Sequence, residues 1–362
     1  MTSAIQGLPE LQAFDWQRSK PDVLLSAAGF EDRTLALLGL APESLRGVMG
    51  LFLVYRNWQH DNKTAELLAA YRARGLAIRR GAQLSYDRFY PDGFADSLAK
   101  ALRGTAGTRV LLDITSMSRM AIMLCLDVLR ELDVDLTLFY AEAAEYGPSF
   151  AEYESAKAAG LPRPSVQVYS GIAAVTRTAR LSSVALQGEP SACIAFMSMN
   201  EKLTQAIIDA LCPSRLFLIN GCPPRHEWRE EATAWIHEQL GREWPEEDNP
   251  IVLRRGKFLP ARLTSTLDYR ETVTEVSTLY WRLAADYRLI LSPTGSKMQA
   301  AGAYIVKGAH PDIHIEYPTP DGFLPRYSRG VGPCWMVQFG RFGKLIEGIR
   351  ARAMREHLFV LA

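Results

Sequence analysis

The residues best suited to chemistry lie in two short segments of like design. Residues 109–120 read Arg-Val-Leu-Leu-Asp-Ile-Thr-Ser-Met-Ser-Arg-Met, and residues 288–298 read Arg-Leu-Ile-Leu-Ser-Pro-Thr-Gly-Ser-Lys-Met. With a one-residue gap, Thr115 aligns with Thr294, and Ser118-Arg119-Met120 with Ser296-Lys297-Met298. Each segment joins hydroxyls, a cation and the expected start of a helix. A phosphate or a ribose needs that combination of donors, charge and free backbone N–H groups. Thr115, Ser116, Ser118, Arg119, Thr294, Gly295, Ser296 and Lys297 are therefore candidate ligand-binding residues, with Gly295 allowing close approach to the backbone. The same residue types also make ordinary helix caps followed by a solvated cation, and that reading stands beside the first.

The elements that must position these loops repeat as well. Asp135-Leu-Thr-Leu-Phe-Tyr140 answers Asp312-Ile-His-Ile-Glu-Tyr317, Leu51-Phe-Leu-Val-Tyr55 answers Leu216-Phe-Leu-Ile-Asn220, and Arg79-Arg80-Gly81 answers Arg254-Arg255-Gly256. Matches kept in one order argue for duplication of one domain. Within each copy short β-rich runs alternate with longer helical ones, the pattern of parallel strands joined by crossover helices. The expected fold is α/β, two tandem Rossmann-like domains, each a mostly parallel sheet with helices on both faces.

Strands are expected near 22–27, 50–55, 76–80, 109–114 and 135–140, then near 192–197, 215–219, 250–254, 287–292 and 312–317. Helices are expected over 31–39, 62–74, 93–103 and 118–132, then over 200–211, 226–240, 269–285 and 296–308. Ser165–Tyr169 and Trp335–Phe339 each fit a sixth, antiparallel edge strand on their own copy, because a short return needs a hairpin. Lys344–Arg355 reads as a closing helix. The junction is expected between Ala179 and Pro190, giving domains 1–185 and 186–362.

Open α/β sheets bind ligands outside the carboxyl ends of their strands. That rule adds Glu31, Asp32, Arg33, Asn200 and Lys202 after the first strands, and Asn57 and Asn220 after the second. Glu31, Asp32 and Arg33 could orient a ribose or base or act as acid and base; acidic residues in a first turn also suit the helix dipole. The paired arginines at 79–80 and 254–255 read as a solvated rim at strand ends.

Composition narrows the classes. With 362 residues there is room for about two domains of ~150 residues. Hydrophobic residues at 48% and charged residues at 22% describe globular cores. Lys and Arg number 41 against 40 Asp and Glu, so a net charge of +1 gives no general pull toward duplex DNA or an anionic membrane. No signal core and no run of ~18 apolar residues is apparent, so a cytoplasmic protein is expected. The 5 cysteines are scattered without a C-x-x-C pair, and Cys125, Cys193 and Cys334 read as buried free thiols. His310 and His314 sit at a spacing broken by Pro311, so no metal is expected. G-x-G-x-x-G, G-x-S-x-G and a complete Walker loop are missing, and no cofactor is expected.

A Rossmann-like unit with a polar loop after strand one and a Thr-Gly-x-Lys-like loop after strand four resembles the CRISPR-associated Rossmann fold (CARF) domain. Thr294-Gly295-Ser296-Lys297-Met298 carries the resemblance most closely, and Thr115-Ser116-Met117-Ser118-Arg119-Met120 is a degenerate form. Two such units in one chain resemble tandem CARF proteins and the related SAVED sensors. The resemblance implies paired units binding a cyclic oligonucleotide or related nucleotide signal in a prokaryotic antiviral system. Because the two copies use nearly the whole chain, it further implies a separate effector protein. A metal-independent ring nuclease is the enzymatic alternative. Ser118, Arg119, Ser296 and Lys297 would then position cyclic oligoadenylate for attack by its own 2′-hydroxyl. A scaffold without a ligand is the third possibility.

Overall fold

The computed structural model describes residues 7–56, 62–160, 171–322 and 327–360, with side chains to 354. The chain begins with β1 (Gln12–Ala13), α1 (Trp16–Ser19), β2 (Val23–Ala28), a 3₁₀ turn at Asp32–Leu35, α2 (Ala36–Leu40), β3 (Met49–Tyr55) and α3 (Thr64–Ala73). It continues through β4 (Gln83–Tyr86), α4 (Asp92–Ala101), β5 (Arg109–Asp113), α5 (Arg119–Glu131), β6 (Asp135–Ala141), β7 (Glu145–Tyr146), α6 (Phe150–Ala158) and β8 (Ile172–Thr176). Then come β9 (Ser191–Phe196), α7 (Glu201–Leu211), β10 (Arg215–Cys222), α8 (Trp228–Ile236), α9 (Glu238–Arg242), β11 (Ile251–Arg254), β12 (Lys257–Pro260) and β13 (Leu263–Ser265). The last elements are α10 (Tyr269–Leu283), β14 (Arg288–Ser292), α11 (Lys297–Ala309), β15 (His314–Ile315), β16 (Tyr317–Pro320), β17 (Ser328–Arg329), β18 (Cys334–Arg341) and α12 (Phe342–Val360).

The protein is α/β, with two Rossmann-like units. One comprises Met1–Tyr146 with Ser328–Ala362, the other Gly147–Tyr327. The first holds a seven-stranded sheet in the order β1-β18-β6-β5-β2-β3-β4, in which β2 to β6 run parallel. The second holds a five-stranded parallel sheet in the order β13-β10-β9-β14-β15. Read from the fifth strand inward, the two orders are the same. Among the described residues no helix is long and apolar enough to cross a membrane.

The units do not divide at residue 185 as expected, and strand pairing gives the reason. Residues 335–339 do lie in an antiparallel strand, but β18 pairs with β6, setting Trp335 opposite Tyr140, instead of edging the second sheet. In turn β8, which follows the first copy, pairs antiparallel with β16 of the second unit. Thus β18 joins the first unit's sheet although it follows the second unit in the chain, and β8 belongs to the second unit. β6 is buried from Leu136 to Ala141, so its outer edge needs a partner, and β18 supplies buried Met336, Val337 and Phe339. The other expected edge strand, 165–169, lies outside the described residues.

The third strands also differ from expectation. At 76–80 the chain makes only an isolated bridge between Ala77 and Met49. The strand forms after Gly81 turns the chain at φ 87°, where Leu84 and Tyr86 are buried and Gln83 and Ser85 are exposed. In the second unit, 251–254 leaves the main sheet and forms a hairpin with β12, while β13 takes the third place. Arg255 and Gly256, at φ 53° and 74°, make the two-residue turn that such a hairpin favours. Arg80 and Arg255 therefore sit in turns, with Arg79 and Arg254 leading into them.

The loop-bearing helices are the most deeply buried. α5 is covered from Met120 to Leu129, and α11 from Met298 to Lys307. α11 packs on α10 so closely that a Cβ at Gly302 would stand 2.6 Å from the Tyr269 carbonyl oxygen and 2.9 Å from Thr272 Cβ. Gly302→Ala is accordingly expected to destabilise by about 1–3 kcal/mol despite alanine's better helix propensity, as a lowered urea midpoint. An unchanged midpoint would show that this contact yields freely.

Candidate functional site

At the carboxyl edge of the first sheet, the loop after β2 turns inward. Arg33 is 2% exposed, and its Nε donates to Glu31 Oε2 at 2.5 Å. Its Nη1 donates to the Ala141 carbonyl at 2.9 Å and to the Tyr146 and Tyr140 hydroxyls at 3.1 and 3.3 Å. Burial first, and the neighbouring Tyr146, keep the Tyr140 hydroxyl well above the ordinary phenol range and therefore neutral. Ser328 Oγ donates to Glu31 Oε2 at 3.0 Å, and the Gly330 N–H to Asp32 Oδ2 at 2.9 Å. Glu31 and Arg33 thus serve as an internal ion pair. Asp32 alone of the three stays exposed, with Lys63 at 3.5 Å.

The loop after β5 is stapled from several sides. Thr115 is fully buried, its N–H bonded to Asp113 Oδ1 and its Oγ1 accepting from the Ala141 N–H at 3.0 Å. Ser116 Oγ shares a hydrogen bond with Thr34 Oγ1 at 2.8 Å. The Tyr55 hydroxyl donates to the Ser116 carbonyl and accepts from the Ser118 N–H at 2.6 Å. Ser118 caps α5 by accepting from the Ala121 N–H. A Cβ at Gly29 would fall 2.7 Å from Ser116 Cβ, so only glycine lets the loops after β2 and β5 approach this closely. Arg119, half-buried, opens the helix.

The second unit solves the same problem with different residues. Thr294, 1% exposed, donates through Oγ1 to the Phe196 carbonyl at the end of β9. Ser296 Oγ donates to the Thr266 carbonyl at 2.7 Å, while Ser296 and Gln299 form a capping box at the start of α11. At Gly295 a Cβ would stand 2.9 Å from Phe196 Cβ and overlap Gln299, so internal packing requires glycine here. Lys297 is half-buried at the first helical position, where Arg119 stands in the first unit. Asn200 caps α7, accepting from the N–H of exposed Lys202 at 3.1 Å. Asn220 is fully buried, donating to the Glu230 carbonyl and accepting from Gly221 N–H and Thr233 Oγ1. Asn57 lies outside the described residues.

Each loop thus ends at a helix amino terminus with a capping serine and a half-buried first-turn cation. The tyrosines at 55, 86, 140 and 146, and Ser328, were not singled out from the sequence, because their roles depend on contacts between distant segments. Among the described residues, no group of three or more His, Cys, Asp or Glu is placed to hold a metal ion. Cys125 and Cys193 are buried thiols, and burial, with Glu316 nearby, pushes Cys193 up to about 12. No protein-family model matches the chain, and no curated protein has a matching sequence.

Two predictions follow from the first loop. Arg33→Met leaves the Glu31 carboxylate buried without its cation, which is expected to cost about 3–5 kcal/mol in urea unfolding; pairing it with Glu31→Gln should recover part of that loss. A loss no larger than for a surface arginine would remove the ion pair from its central place. The second concerns Asp32, whose carboxyl is held below its usual range chiefly by the Gly330 N–H. The tether is thus fully present above the unfolded value near pH ~4 and is lost as pH falls through the lower folded value. Asp32→Asn should flatten that acid limb of the stability–pH curve, and an unaltered limb would argue against the tether.

Proposed function

We propose that this chain is a nucleotide-binding sensor or regulatory subunit, CARF-like in kind, acting in prokaryotic antiviral defence with a separate effector protein in the cytoplasm. The ligand is a cyclic oligonucleotide, its phosphates held at the amino ends of α5 and α11. One observation carries the reading: Arg119 and Lys297 open equivalent helices, each behind a serine cap, after β5 and β14, the strands that pair with the first parallel strand of their units, β2 and β9. A helix amino end combined with a cation favours phosphate oxygens through the helix dipole and charge together.

A scaffold reading has its own support, since the buried loop polar groups Thr115, Thr294 and Asn220 are bonded within the protein. Calorimetry with cyclic tetra-adenylate separates the two. The sensor binds it and returns it intact, and Arg119→Ala and Lys297→Ala each weaken binding by about 1.5–3 kcal/mol with little change in melting temperature. Wild-type protein that binds no cyclic oligonucleotide favours the scaffold, and release of linear product would convert the sensor into a ring nuclease.

A further inference from the structure

Away from these loops, the second unit contains a cavity of 670 Å³. Its floor is Met197, just past β9, and Leu218 of β10. Trp235 and Gly241 line it from α8 and α9, Trp244 from the segment that follows, and Phe258 from the β11–β12 hairpin. The volume lies within the range of about 300–1,000 Å³ typical of small-molecule sites.

The charges on its wall define what fits. All three cations are paired: Arg242 with Glu238, Lys257 with Glu231, and Arg262 with Glu275 at 3.3 Å and the Asp248 carbonyl. Asn249 is committed as well, accepting from the Leu218 N–H at 2.8 Å and donating to the Leu216 carbonyl at 2.9 Å. His237, 1% exposed, turns Nδ1 to the Thr233 carbonyl at 3.0 Å. An anion entering here meets cations already neutralised, and Glu246, exposed on the wall, opposes it further. The remaining surface is aromatic and aliphatic, and Phe258 lines the cavity while 78% exposed.

We infer that this cavity is a ligand site for an uncharged aromatic molecule, separate from the phosphate-directed loops and independent of the nucleotide reading. Two tryptophans and a phenylalanine offer ring faces and edges to a planar guest. The hairpin that carries Phe258 is fastened to α8 and the residue before it by ion pairs, Arg255 to Glu227 at 2.9 Å and Arg254 to Glu230 at 3.4 Å. Contact with the guest would cover part of the exposed Phe258 ring.

The test uses two probes with one ring system, neutral N-phenyl-1-naphthylamine and anionic 8-anilinonaphthalene-1-sulfonate, read by energy transfer from tryptophan. The neutral probe is expected to saturate at one per chain, and the sulfonate to bind about tenfold more weakly or worse. Gly241→Leu extends into the cavity from a position where a Cβ meets nothing within 4 Å, so the fold tolerates it. It should weaken the neutral probe by about tenfold, and Phe258→Ala, at an exposed position, by a smaller factor. Equal affinity for the two probes, unsaturable binding, or binding unmoved by both substitutions would overturn the assignment.

Discussion

Burying a guanidinium is tolerable only when its charge and its N–H groups find partners, and the loop after β2 is arranged around that requirement at Arg33. Glu31 supplies the countercharge, and the strand-end carbonyl of Ala141 and the hydroxyls of Tyr140 and Tyr146 accept from Nη1. Ser328 then bonds Glu31, and β17 pairs with β7, so the last part of the chain is fixed to the first unit before β18 lies along β6. The pairing of β18 with the first unit's sheet is thus accompanied by contacts at both Glu31 and β7.

The second unit shares the strand order, but among its described residues no arginine is buried as Arg33 is. Its loop after β14 is held by Thr294 on the Phe196 carbonyl, Ser296 on the Thr266 carbonyl and Gln299 on Thr264. Hydroxyls and an amide replace a buried ion pair. Both solutions spend most polar groups of the loops on internal bonds, and Arg119 and Lys297 stand at matching first helical positions. The recurrence of that cation on differently built loops is the strongest reason to read it functionally.

Much of this was legible in the sequence. Runs such as Leu51–Leu53 and Leu289–Leu291 are continuous and apolar, as strands buried on both faces must be, and they form interior strands. The Ser caps at 118 and 296 fix the starts of α5 and α11 within one residue of expectation. Residues 76–80 and 250–254 misled because β-like composition does not encode pairing: the first run stops at a glycine turn, and the second closes on its own hairpin. The returning strand's choice of neighbour was illegible for the same reason, since Trp335–Phe339 suits either edge locally. The inward direction of Thr115 and Thr294 was hidden because a stapling hydroxyl and a ligand-binding one share a residue type.

Hydrogen–deuterium exchange with and without saturating cyclic tetra-adenylate tests the central claim most directly, because it reads the backbone N–H groups that the phosphates would occupy. Protection is predicted at both helix starts, in the peptides spanning 116–121 and 295–300. Unchanged exchange at both segments, or protection confined to other parts of the chain, would contradict the claim that these two loops are the phosphate-binding elements.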